Sequence, residues 1–123
     1  MSKPCPAATQ SVALNTDNRQ HAIDQFMYGP PNPLRPELRS TRDFWQAIAQ
    51  VWSRSEGYRL TPSEAQTMLC GNCAAFDISI AMRKCIGTIA HEAGGEVGYC
   101  HAHHFKCAAT RTCMTWVAGG PIT

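Results

Sequence analysis

The chain has no window of roughly 20 apolar residues, the length a helix needs to cross a bilayer. Its first residues, Met-Ser-Lys-Pro-Cys-Pro, develop no apolar segment of the kind a secretion signal carries. These two absences predict a soluble protein made in a reducing cytoplasm, with no membrane partner. Charge of one sign is also lacking: 11 basic residues face 9 acidic ones, for a net +2. Arg83, Lys84, Lys106 and Arg111 form no long basic stripe, so specific nucleic-acid binding is not expected. Nor does the sequence offer a nucleophile–base pair, a phosphate loop or paired carboxylates, and no enzyme activity is predicted. At 123 residues there is room for one compact domain.

Cysteine, by contrast, is abundant. The seven are Cys5, Cys70, Cys73, Cys85, Cys100, Cys107 and Cys113. Disulfide frameworks belong to oxidising compartments, and nothing directs the chain to one. In a reduced protein, clustered cysteines point to metal or catalysis.

Six of the eight prolines, at positions 4, 6, 30, 31, 33 and 36, lie in residues 1–39. Proline fixes φ and removes a donor, so this stretch reads as an extended arm, either loose or laid across a neighbouring protein. Residues 40–123 read as the folded domain. A first helix is predicted near Ser40, where Ser40-Thr41-Arg42-Asp43 resembles a capping box, followed by Phe44, Trp45, Ile48, Val51 and Trp52 at helical spacing. Thr61-Pro62-Ser63-Glu64 predicts a second, ending before Leu69-Cys70. A third is predicted from Asp77 to about His91, with Ile78, Met82, Cys85, Ile86 and Ile89 on one face and Gly94-Gly95 as its stop. Cys85 is read there as a small core hydrophobe and Cys5 as a free thiol. From Gly95 to Gly120 no regular period survives, and a metal would supply the cross-links that such a segment lacks.

Cys70-Gly71-Asn72-Cys73 is a C-x-x-C pair whose spacing lets two thiolates grip one centre from a tight turn. The glycine is expected to bring backbone amides close to the sulfurs. With Cys100, Cys107 and Cys113 farther on, the inventory suffices for the four thiolates of a 4Fe–4S cluster.

This arrangement resembles the high-potential iron–sulfur proteins: a C-x-N-C pair followed by phenylalanine, then two separate cysteines, the last in C-x-x-W. The resemblance spans roughly residues 70–118. It implies cluster ligands at Cys70, Cys73, Cys100 and Cys113, with Phe76, Tyr99, Phe105 and Trp116 walling the cluster from water. Two departures stand against it, a longer gap from Cys73 to Cys100 and the extra Cys107, which competes with Cys100 or Cys113. The strings Cys-Gly-Asn-Cys-Ala-Ala-Phe and Phe-Lys-Cys-Ala-Ala-Thr-Arg-Thr-Cys, with the Gly-Gly-Pro-Ile ending, also resemble small cysteine-rich proteins of tailed bacteriophages. That similarity implies a virion component, made in the host cytoplasm and joined to other virion proteins through the arm.

Zinc is the alternative metal, with Cys70 and Cys73 as half of its site and Cys100, Cys107, Cys113, His101, His103 and His104 supplying the rest. Zinc sites usually show two tight pairs, and the aromatic residues fit a redox cluster better. A thiol–disulfide oxidoreductase would use C-G-x-C after a strand, whereas a helix is predicted upstream of Cys70. The expected architecture is therefore α-rich and metal-organised: an extended arm, two or three short helices and an irregular C-terminal lobe around a 4Fe–4S cluster. The expected role is structural, with a small electron-transfer protein of the high-potential iron–sulfur type and a structural zinc-binding interaction module as alternatives.

Overall fold

The computed structural model describes residues 12–86 and 96–123. Among them the chain forms four helices and a three-stranded antiparallel sheet. The expectation of an extended arm is corrected for the described part of it: Val12–Phe26 is a 15-residue helix, α1. No proline interrupts the sequence between Pro6 and Pro30, so the proline count over the whole segment hid a helix-compatible stretch. Two asparagines of this largely polar helix bond the backbone beside the sheet. Asn15 Oδ1 accepts from the Lys106 N–H at 2.9 Å, and Asn18 Nδ2 donates to the His104 carbonyl at 2.8 Å. They occupy backbone groups at the edge of the sheet that would otherwise remain open to another strand. Fully buried Ala22 anchors the helix in the core. After it, Gly29 pairs with Thr112 through two backbone hydrogen bonds, stitching residues 26–30 to the C-terminal segment.

Helix α2 (Arg39–Glu56) buries Trp45, Ile48, Ala49 and Trp52, the face its periodicity predicts. Its N-cap is Leu38 with no side-chain bond, not Ser40. The hydroxyls are used differently: buried Thr41 donates to the Asn32 carbonyl at 3.0 Å and ties the helix to the proline-rich loop. The short α3 (Pro62–Ala65) starts with the expected capping box of Thr61 and Glu64 but runs for only four residues. Each fully buried large apolar side chain of this layer contributes about 1.5–3 kcal/mol. The Trp52 indole also donates to the Met114 carbonyl at 3.1 Å, joining the helical half to the cysteine-rich lobe.

That lobe is not irregular, as its sequence suggested. Strands β1 (Phe76–Asp77), β2 (Val97–Cys100) and β3 (Phe105–Ala108) form the sheet in that order. Val97 faces Ala108 and Cys100 faces Phe105 across the hairpin. Short strands carrying glycine, cysteine and alanine give too few alternations for a period to show. Helix α4 (Ile80–Ile86) packs Met82 and Ile86 against Tyr99. The expected start at Asp77 is corrected, since Asp77 belongs to β1 and the helix opens at Ile80; the remainder of the predicted third helix, with Ile89 and the Gly94-Gly95 stop, lies outside the described residues, as does Cys5. Cys85, expected as a small core hydrophobe, is half-buried beside this cluster and is disulfide-bonded.

Candidate metal centre

Cys70–Asn72 form a single 3₁₀ turn, closed by the Cys73 N–H donating to the Cys70 carbonyl at 2.9 Å. Asn72 holds the turn in shape. Its Oδ1 accepts from the Leu69 N–H at 3.1 Å and from the Trp116 indole at 2.8 Å, while its Nδ2 donates to the Thr67 carbonyl at 2.7 Å. One side chain thus fixes the C-x-N-C turn and the tryptophan of C-x-x-W together. The turn also hangs from the C-terminal segment: the Cys70 N–H donates to Arg111 at 2.6 Å and the Ala74 N–H to Val117 at 2.8 Å.

Gly71 does not present its amide to the sulfurs. Its N–H donates to the Ala109 carbonyl at 2.9 Å, and a Cβ there would lie 3.1 Å from Ala109 Cβ. The glycine serves close packing between turn and hairpin. Gly120 is more constrained still, since a Cβ would fall 1.8 Å from the Cys73 carbonyl oxygen.

Five cysteines, Cys70, Cys73, Cys100, Cys107 and Cys113, line one cavity, together with Phe76 and Trp116. It is tight: only about 20 Å³ admits the centre of a water-sized sphere, little more than one water requires. None of the five is joined in a disulfide. Burial, with Cys113 and Cys70 adding to it, pushes the Cys100 thiol up to about 11. Burial likewise raises Cys113, with Cys70 and Cys73 adding to it against the hydrogen bonds from Thr115. Cys70, Cys73 and Cys113 thus lie near enough to Cys100, or to one another, for their charges to be felt across the cavity. Raised thiol values are the reverse of what an attacking cysteine needs.

Among the other residues expected at the site, Phe105 is buried in the same core cluster as Phe76 and the cysteines, packed edge-on to Tyr28 at 4.9 Å, but it does not line the cavity. Tyr99 is displaced further. Alternation along β2 turns it away from Cys100 onto the opposite face, against Met82 and Ile86, so the expectation that it walls the site is corrected. Two contributors went unread. Tyr28 sits in the segment whose prolines predict an arm, yet is buried in the cysteine core with the Arg111 guanidinium 5.5 Å from its ring centroid. Thr115 Oγ1 lies 3.1 Å from Cys113 Sγ and 2.7 Å from His103 Nε2, which is itself 3.6 Å from that sulfur. An aromatic beside Gly-Pro, and a hydroxyl two residues after a cysteine, were the available signals. His101 turns elsewhere, its Nε2 2.9 Å from Asp77 Oδ2.

Among the described residues no three His, Cys, Asp or Glu side chains come close enough together to hold a single metal ion. Comparison with protein-family models, curated proteins and solved structures finds no match.

Proposed function

We propose that the chain binds a 4Fe–4S cluster through Cys70, Cys73, Cys100 and Cys113, and that the cluster chiefly staples the C-terminal lobe. The observation that carries this is the one apolar cavity on which five cysteines converge with Phe76 and Trp116. A lone tetrahedral zinc would draw its sulfurs to roughly 3.8 Å of one another, from a Zn–S bond of about 2.3 Å. A cube of four irons holds its thiolates farther apart, which suits donors that surround a cavity without closing on one point. Because the cavity is tight, loading is coupled to folding of the lobe around its ligands. Cys107, fully buried in β3, is assigned to the core rather than to the ligand set. When bound, the cluster supplies cross-linking and one-electron redox capacity. The residues of the chain hold the sulfurs, keep water out through Phe76 and Trp116, and offer the Thr115 hydroxyl to Cys113.

The proposed setting is a phage particle, in which the protein is a structural component made in the host cytoplasm. The Cys-Gly-Asn-Cys-Ala-Ala-Phe and Gly-Gly-Pro-Ile strings support it. Contacts with other virion proteins then fall to exposed faces of the domain, since α1 is engaged with β3. Electron transfer is the second reading, favoured by one feature: Trp116 lines both the thiol cavity and an open groove bearing exposed Tyr58 and Val117. Iron and acid-labile sulfide analysis of anaerobically purified protein tests the central proposal. Brown protein with matched iron and sulfide is expected. Colourless protein with one equivalent of zinc and no sulfide rejects it.

A further inference from the structure

On the side of α2 lined by Gln46 and Gln50, an open groove of about 500 Å³ runs between this helix and residues 59–62. Gln46, Gln50 and Arg54 follow one another at intervals of four along one helix stripe and form one wall. Arg59, Leu60 and Thr61 belong to the other. The walls are pinned together. Ser53 Oγ donates to the Ala49 carbonyl at 2.7 Å and accepts from the Leu60 N–H at 2.7 Å.

The charge inside the groove is of one sign. Arg54 and Arg59 line it, and no acidic residue does. Both arginines are exposed, and among the described residues neither joins an ion pair. The two nearest acids in sequence are committed elsewhere. Glu64 accepts from the Thr61 N–H and hydroxyl in the capping box, at 3.1 and 2.9 Å. Glu56 lines the groove on the Trp52–Trp116 side instead. Two guanidinium groups without counter-charges, beside two amide side chains able to bond a peptide backbone, form a recognition surface for carboxylates.

We propose that this groove binds an extended, acidic peptide segment of a partner protein, its carboxylates on Arg54 and Arg59 and its backbone along Gln46 and Gln50. Nucleic acid is the less favoured ligand: two cations neutralise few phosphates, and the whole chain carries only +2. The site is separate from the thiol cavity, so its test does not depend on the metal.

The test uses the full-length protein as purified, with three labelled probes: an oligo-glutamate peptide containing one leucine, its glutamine counterpart and a single-stranded oligonucleotide. The glutamate peptide is expected to bind, and binding should weaken as salt is raised. Arg54→Ala and Arg59→Ala should each weaken it about threefold to fivefold, the range of an exposed ion pair. Arg39→Ala, on the far end of α2, should leave it unchanged. The double substitution Arg54→Glu with Arg59→Glu should transfer preference to an oligo-lysine peptide, a gain that misfolding cannot produce. Equal binding of the glutamate and glutamine peptides, equal loss in Arg39→Ala, or tighter binding of the oligonucleotide would each overturn the proposal.

Discussion

In α2 the positions of Trp45, Ile48, Ala49 and Trp52 follow from helical spacing alone, and a hydrophobic layer forms wherever that face meets another. The cysteine-rich lobe is built differently. Its strands are two to four residues long, and its parts are joined by one or two backbone bonds at a time between distant segments, such as Cys70 to Arg111 and Gly29 to Thr112. The helical layer rests on area removed from water, whereas the lobe adds hydrogen-bonded links between distant segments to its own small buried cluster. Damage to each should therefore have a different signature.

The largest separation is expected on removal of the proposed staple. Cys70→Ser or Cys73→Ser should abolish iron binding and unfold the lobe, forfeiting a contribution on the order of 10 kcal/mol for a structural metal. Amide protection in α2 should survive in part. Cys107→Ser should keep its iron and lose about 1–3 kcal/mol, the cost of a hydroxyl in an apolar core. Iron content beside hydrogen exchange measures both. Equal iron loss from Cys107→Ser and Cys70→Ser would put Cys107 in the ligand set.

Next in size is the reciprocal experiment on the helical half. Ile48 is fully buried between the tryptophans, so Ile48→Ala should cost about 2–4 kcal/mol through its lost contacts and cavity. Urea unfolding should show that loss while iron per chain stays unchanged. Asn72→Ala should cost less, about 1–3 kcal/mol, since it strands the Leu69 N–H and removes one of the two acceptors of the Trp116 indole, leaving it only the Leu69 carbonyl. Because those bonds hold the turn to Trp116, it should also speed iron loss to a chelator, which Ile48→Ala should not. Equal chelator rates for the two would show that the lobe and the helical layer are not separable.

The same contrast explains what the sequence could disclose. The α2 face and the Thr61–Glu64 capping box depend on neighbours within one or two turns, and both stand where local spacing predicts them. The gathering of Cys70, Cys73, Cys100 and Cys113 was legible as a motif, because thiol chemistry limits how such residues are used. Long-range pairings leave no local trace. Val97 to Ala108 reads as a loop until its partner strand is known, and the facing of Tyr99 follows only from that register. The polar α1 reads as a tail because its asparagines are partners for a strand edge some 90 residues away.

The smallest effect concerns the sheet itself, through one carboxylate and its hydrogen bonds. Burial would raise the Asp77 carboxyl, but hydrogen bonds from the His101 ring and the Ser79 N–H outweigh it and hold the group below the ordinary carboxylate value of 3.8. A lowered value in the folded state means that the unfolded chain binds the proton first as pH falls. The stabilisation from this carboxylate is thus complete above the unfolded value and is lost as pH drops through the lower folded one. Asp77→Asn should remove that part of the acid limb, flattening the fall in stability below about pH 4 while costing on the order of 1 kcal/mol at neutral pH. Urea midpoints of the two proteins across this range measure it. An acid limb that keeps its full slope in Asp77→Asn would mean that another carboxylate governs acid unfolding of the lobe.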